Sequence, residues 1–217
     1  VLLMLCMEKI VEICCGSYED ALAAYRGGAK RIELNSALYL GGLTPSVGTL
    51  LLTKKHTDLN VVAMVRPRAA GFCYSDTDFE VMEQDTELLM KNGADGIAFG
   101  CLDAQARLHE AQIRKIVQII DRYHGEAVFH RAFDCVQDQD SAMEALIDMG
   151  ICRVLTSGGK AKAMDGAEQI AALQKKYGDR IQILAGSGVN AGNAAELMEK
   201  TGIRQVHSSC KGWLCDP

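Results

Sequence analysis

Four glycines cut the chain into lengths of similar size, and each stands at the same kind of boundary: an amphipathic stretch before it, a small or branched residue and two variable positions after it, then an apolar run. The boundaries read Gly28-Ala29-Lys30-Arg31-Ile32-Glu33-Leu34, Gly93-Ala94-Asp95-Gly96-Ile97-Ala98-Phe99, Gly150-Ile151-Cys152-Arg153-Val154-Leu155 and Gly202-Ile203-Arg204-Gln205-Val206-His207. Each glycine fits the left-handed position that stops a helix. They lie 65, 57 and 52 residues apart, about two βα units when one βαβ needs roughly 30 residues. A second set of strands fills the intervals at Lys9–Cys14, Val61–Arg66, Ala127–Arg131 and Ile181–Ala185. Between strands, apolar residues recur at helical spacing, as in Ile113, Ile116, Val117 and Ile120. Uninterrupted strand–helix–strand order predicts parallel pairing with right-handed crossovers. Eight such strands predict an α/β fold, the (β/α)8 TIM barrel.

The 217 residues suit one barrel, so residues 1–217 are expected to form a single domain. An open doubly wound sheet uses the same units, but the first strand leads into Cys14-Cys15-Gly16-Ser17-Tyr18 and not into a G-x-G-x-x-G turn. After the eighth strand only Lys211–Pro217 remains, too little for the covering helix. The eighth helix is therefore expected to be missing from this chain, with an apolar seam exposed or covered by a partner.

Composition excludes several classes. Hydrophobic residues at 48% and charged residues at 24% are ordinary globular values. A net charge of −5 without a basic run argues against nucleic acid. The apolar start, Val1–Cys6, lacks a basic flank and is too short for a secretory or membrane segment; it reads as an extension ahead of a start at Met7. Nine cysteines without a C-x-x-C pair match neither a disulfide framework nor a structural zinc site, which points to a reducing cytoplasm.

In a barrel the ends of all strands open into one mouth, so those positions decide function. Here they are polar: Glu12, Cys14, Glu33, Asn35, Arg66, Arg68, His130, Arg131, Asp134, Thr156, Ser157, Gly186, Ser187, His207 and Ser208. In Val11-Glu12-Ile13-Cys14 the apolar residues should face the helices, which turns Glu12 and Cys14 inward, and Glu33 follows the same rule. Carboxylates inside a barrel need partners, for which Arg66 and Arg131 are the candidates. His130 is a candidate general base oriented by Asp134. The candidate catalytic set is thus Glu12, Glu33, Arg66, His130, Arg131 and Asp134. Arg68 with Ser157, Gly158, Gly186, Ser187, Gly188 and Ser208 is a candidate anion site, because late barrel loops often present N–H groups and hydroxyls to phosphate. On this reading the chain is an enzyme acting on a small phosphorylated or carboxylated metabolite.

The segments Glu12-Ile13-Cys14-Cys15, Arg31-Ile32-Glu33-Leu34, Gly41-Gly42-Leu43-Thr44-Pro45-Ser46, Arg66-Pro67-Arg68, Phe72-Cys73-Tyr74-Ser75-Asp76, Phe129-His130-Arg131-Ala132-Phe133-Asp134, Arg153-Val154-Leu155-Thr156-Ser157-Gly158, Gly186-Ser187-Gly188 and Val206-His207-Ser208-Ser209 resemble the CutC copper-homeostasis family, in the family's order from Met7 to about Trp213. The resemblance implies a (β/α) barrel, a cytoplasmic location, homodimers and a role in copper handling with Cu(I) bound by cysteines. Carried onto this sequence, it puts the metal on Cys14 and Cys15 at the mouth, with Cys73 as a third ligand. Asn35 stands where the family often carries another Cys. Members usually continue by roughly one further βα unit.

Overall fold

The computed structural model describes residues 9–210 and 212; the Val1–Cys6 segment and the end of the resemblance at Trp213 lie outside them. Among the described residues, eight strands alternate with seven α-helices. They run β1 (Ile10–Cys15), α1 (Tyr18–Arg26), β2 (Arg31–Leu34), α2 (Val47–His56), β3 (Asn60–Met64), α3 (Asp76–Lys91), β4 (Gly96–Phe99), α4 (Glu110–Arg122), β5 (Glu126–Phe129), α5 (Gln139–Asp148), β6 (Arg153–Thr156), α6 (Ala167–Tyr177), β7 (Gln182–Ala185), α7 (Ala194–Thr201) and β8 (Gln205–Ser208). The strands pair in parallel in sequence order, and β1 pairs with β8, so the sheet is a closed barrel.

The four boundary glycines all take positive φ, between 73° and 93°, as a left-handed helix stop requires. Helix starts are capped by side chains that accept orphan backbone N–H groups: Ser17 on α1, Ser46 on α2, Ser75 in a capping box on α3 and Asp138 on α5. Ile113, Ile116, Val117 and Ile120 form the buried stripe of α4.

Strand alternation builds two apolar regions. Val61, Ala63 and Val65, with Ile97, Phe99, Ala127 and Phe129, belong to the main core between barrel and helices. Val62, Met64, Ala98 and Val128 form a separate cluster, which by parity is the barrel interior. Opposite that cluster the interior is polar. Arg31 Nε donates to Glu12 (2.6 Å) and its Nη2 to Gln205 (2.6 Å). Gln205 donates to Gln182 (2.8 Å), and Arg153 donates to both Gln182 (2.9 Å) and Glu126 (2.8 Å). This chain of bonds ties β1, β2, β8, β7, β6 and β5 together beneath the mouth.

Among the described residues no helix follows β8. Val11 on the outer face of β1 is 45% exposed, and a cavity of about 980 Å³ lies along this seam, bordered by Ile10, Val11, Ile13, Ala23, Ala24 and Leu38. No helix among the described residues is long and apolar enough to cross a membrane.

Candidate functional site

Parity carries inward-facing residues on β1, β2 and β8 up to one point in the mouth. Register sets Glu12 beside Arg31 on one flank and His207 on the other, and Cys14 beside Glu33. Cys14, Glu33 and His207 therefore converge, with one ligand atom from each within 4.8 Å of the others. The Cys14 thiol donates to Glu33 Oε2 (3.7 Å), and His207 Nε2 lies 3.8 Å from the same oxygen. Asn35 Nδ2 donates to Glu33 Oε2 (2.9 Å) and to Cys14 Sγ (3.5 Å). On its far side His207 Nδ1 meets Glu12 Oε1 (2.9 Å), so the imidazole is fixed with Nε2 turned toward Cys14 and Glu33.

The electrostatics follow from burial and pairing. Burial alone would raise the Glu12 carboxyl, but the bond and charge of His207, with Arg31 and Arg153, bring it down to about 2. Glu33 goes the other way: burial first, then the Glu12 charge, raises it against His207 and Asn35. Burial likewise raises the Cys14 thiol, with Glu33 and Glu12 adding to it. His207 sits well above its usual value, since Glu33, Cys14 and Glu12 outweigh its burial. The cluster thus sets the His207 imidazolium between the Glu12 carboxylate and the Glu33 side chain, beside a protonated thiol.

The expected partners of the carboxylates are not those observed. Arg31, not Arg66 or Arg131, binds Glu12. Arg66 spends Nη1 on the Leu40 and Gly42 carbonyls and Nη2 on that of Ala70, clamping the loops above β2 and β3. Arg131 pairs with Asp134 (2.9 Å) and donates to Ser157 Oγ (2.9 Å). Nor does Asp134 orient His130. After β5 the chain turns into a 3₁₀ segment, Arg131–Cys135, which swings Asp134 toward the β6 loop. There it accepts from Thr156 Oγ1, the Ser157 and Gly159 N–H groups and the Ser157 hydroxyl. His130 Nδ1 instead accepts the Ala132 N–H (3.1 Å).

The cysteines are likewise separated. Cys15 follows Cys14 directly and so faces the opposite way, fully buried in the barrel–helix core, where its thiol donates to the Ile13 carbonyl. Cys73 is exposed on the β3–α3 loop. Neither joins the Cys14 cluster; Glu33 and His207 do. Asn35, which the resemblance sets where a Cys often stands, touches Cys14 through its amide.

Residues of the late loops bind their own backbone. The single proton of Ser157 Oγ lies within reach of both the Lys160 carbonyl and Asp134. Gly158 N–H donates to Thr156 Oγ1, Ser187 Oγ to Ala161 O and Ser208 Oγ to Val189 O. Ser187 and Gly188 both take positive φ, and a Cβ on Gly186 would fall 2.7 Å from Leu155 Cδ1. Arg68 is bound to Asp78 and to the carbonyls of Ala69, Gly71 and Cys73.

His207 is one of the expected strand ends but lies outside the candidate catalytic set, and Arg31, Arg153, Gln182 and Gln205 lie outside the expected mouth residues altogether. Arg31 shares the parity of Glu33, and Gln205 that of His207. The alternation that turned Glu33 inward therefore held the signal for both.

The model of the CutC family matches residues 9–212. A family protein CutC of Treponema denticola is 48% identical over 197 residues, covering 91% of this chain and 79% of that one. A Vibrio vulnificus family protein CutC is 40% identical, with 94% and 82% covered. A solved structure from Streptococcus agalactiae, carrying the name copper homeostasis protein CutC, superposes with a TM-score of 0.88 at 27% identity, covering 93% of this chain and 98% of that one. Deoxyribose phosphate aldolase from Aeropyrum pernix, with a TM-score of 0.66 at 16% identity, shares the fold alone. With every described residue inside the family match and relatives this similar along the chain, the protein belongs to the CutC family.

Proposed function

We propose that the protein handles copper and takes Cu(I) as its cargo at Cys14 and His207, at the centre of the barrel mouth. The observation that carries this reading is the convergence of a thiol, an imidazole nitrogen and a carboxylate on one point. Thiolate and imidazole are the donors that suit Cu(I), whereas a carboxylate oxygen is a hard donor that suits it poorly. Cys14 Sγ and His207 Nε2 would therefore hold the ion, and Glu33 would supply charge beside it. Glu12 does for His207 what carboxylates commonly do behind a metal-bound imidazole, holding the ring by its other nitrogen. The copper attribution in the name of the S. agalactiae relative supports the choice of copper as the cargo.

Two protons must leave for the ion to bind, one from the raised Cys14 thiol and one from His207, so affinity rises with pH. The test is a titration of reduced protein with Cu(I) against a chromogenic chelator. Cys14→Ala and His207→Ala are each expected to abolish stoichiometric binding, while Cys15→Ala and Cys73→Ala leave it intact. Glu12→Gln should weaken it by about 10- to 100-fold through the loosened ring. Binding that survives Cys14→Ala unchanged removes the reading.

A further inference from the structure

Three buried polar atoms at the mouth, all outside the Cys14 cluster, have no hydrogen-bond partner among the described residues: Arg66 Nε, Tyr74 Oη and His130 Nε2. Their residues are 7%, 6% and 4% exposed, so bulk water does not readily serve them. Buried donors are nearly always satisfied in native proteins, and a group of three left open points to a ligand that closes them.

They belong to one place. Arg66 continues the inward parity of Val62 and Met64 on β3, and His130 that of Val128 on β5. Phe72 lies against both, with Arg66 Cζ 5.3 Å and the His130 ring centre 4.8 Å from its own ring centre. Tyr74, two residues further along the same loop, has its hydroxyl within reach of the Arg66 guanidinium, in a contact that falls short of hydrogen-bond distance or angle and so leaves both groups open to a ligand.

Each donor is fixed. With Nη1 and Nη2 of Arg66 committed to three loop carbonyls, Nε is held in position with its proton unspent. The Ala132 N–H occupies His130 Nδ1, which leaves the ring proton on Nε2. The ring is seated against Gly100, where a Cβ would come within 2.6 Å of His130 Cε1. Burial, with Arg66 nearby, depresses His130 to about 3, so the ring stays neutral and keeps that tautomer near neutral pH.

One cationic N–H, one neutral N–H and one hydroxyl without a facing carboxylate call for oxygens that carry negative charge. We propose that Arg66, Tyr74 and His130 form a subsite for the carboxylate group of a small metabolite. Two firm N–H donors and a hydroxyl match the two oxygens of a carboxylate. A phosphate dianion would bring more charge into this buried place than one guanidinium offsets. The subsite goes beyond the copper reading and is independent of it, since it uses residues of β3, β5 and the loop after β3 and none of the proposed copper ligands. It gives the chain the binding half of an enzyme for a carboxylated substrate.

The test follows His130 directly. Protein labelled with ¹⁵N-histidine is titrated with acetate and, in parallel, with inorganic phosphate, and the Nε2 resonance is read by long-range correlation. A saturable shift with acetate is expected, retained in Cys14→Ala protein, which separates this result from that of the copper titration. Calorimetry with acetate should show affinity reduced by about tenfold or more in His130→Gln, as for loss of a hydrogen bond to a charged group. A smaller loss is expected in Tyr74→Phe, which removes a single hydroxyl. No saturable shift with either anion overturns the proposal, as does a response to phosphate alone or full acetate affinity in both variants.

Discussion

Acidifying the protein from pH 6.5 to about pH 4 is expected to cost the fold about 3 kcal/mol through His130 alone. The ring is buried, its Nδ1 already holds a backbone N–H and Arg66 lies nearby. Its affinity for a proton is therefore set far below that of an unfolded histidine, about 3 against 6.5. A base depressed on folding binds protons better in the unfolded chain. Its contribution is complete above pH 6.5 and lost as the pH falls through the window down to about 3. Glu12 adds a second loss further down: its carboxyl, at about 2 against 4.5, stabilises the fold above pH 4.5 and ceases to as the pH falls toward 2. His207 has the opposite sign. Raised on folding, it contributes fully below pH 6.5 and loses that contribution as the pH rises through its folded value. Urea unfolding at several pH values, with wild-type protein and His130→Gln, reads the first term. The variant should be less stable at neutral pH yet lose much less on acidification. Parallel pH curves for the two proteins would show that His130 titrates like an exposed histidine.

The barrel was legible because it depends on periodicities that a sequence carries openly. Helix-stopping glycines at Gly28, Gly93, Gly150 and Gly202 set the count of units, and the period of two turned Glu12, Cys14 and Glu33 inward. Alternation gives direction but not height. Whether Glu12 meets Arg31, Arg66 or Arg131 is decided by strand register and barrel stagger, which place Arg31 directly beside it on β2 and His207 on β8. The resemblance that put the metal on Cys14 and Cys15 together collides with alternation itself, because adjacent strand residues face opposite sides. Only a turn or bulge could bring both thiols into the mouth, and β1 continues through Cys15. The His130–Asp134 expectation failed at the point where the strand ends. Beyond β5 the chain coils, so spacing in sequence no longer reports side-chain direction, and Asp134 becomes the anchor of the β6 loop.

Glu12→Ala is expected to destabilise the protein by about 3–5 kcal/mol, the range for breaking a buried ion pair by removing one partner. Glu12 is 2% exposed, and both its oxygens are in use: Oε2 on Arg31 at 2.6 Å and Oε1 on His207 at 2.9 Å. Its loss leaves the Arg31 guanidinium, itself 6% exposed, with Gln205 as a neutral partner, and leaves His207 with Glu33 and Cys14. The penalty is mainly the isolated buried cation, so it should shrink when the cation goes too. Glu12→Ala combined with Arg31→Met is expected to lose less than the two single changes added together, and a double-mutant cycle of urea unfolding free energies measures the difference. The imidazole supplies a second readout. Without Glu12 the His207 proton loses one of the groups that raise it, so its titration moves toward neutral pH, which NMR of the ring follows directly. Strict additivity in the cycle, with an unmoved His207 titration, would mean that Glu12 fills space beneath the mouth without holding either cation.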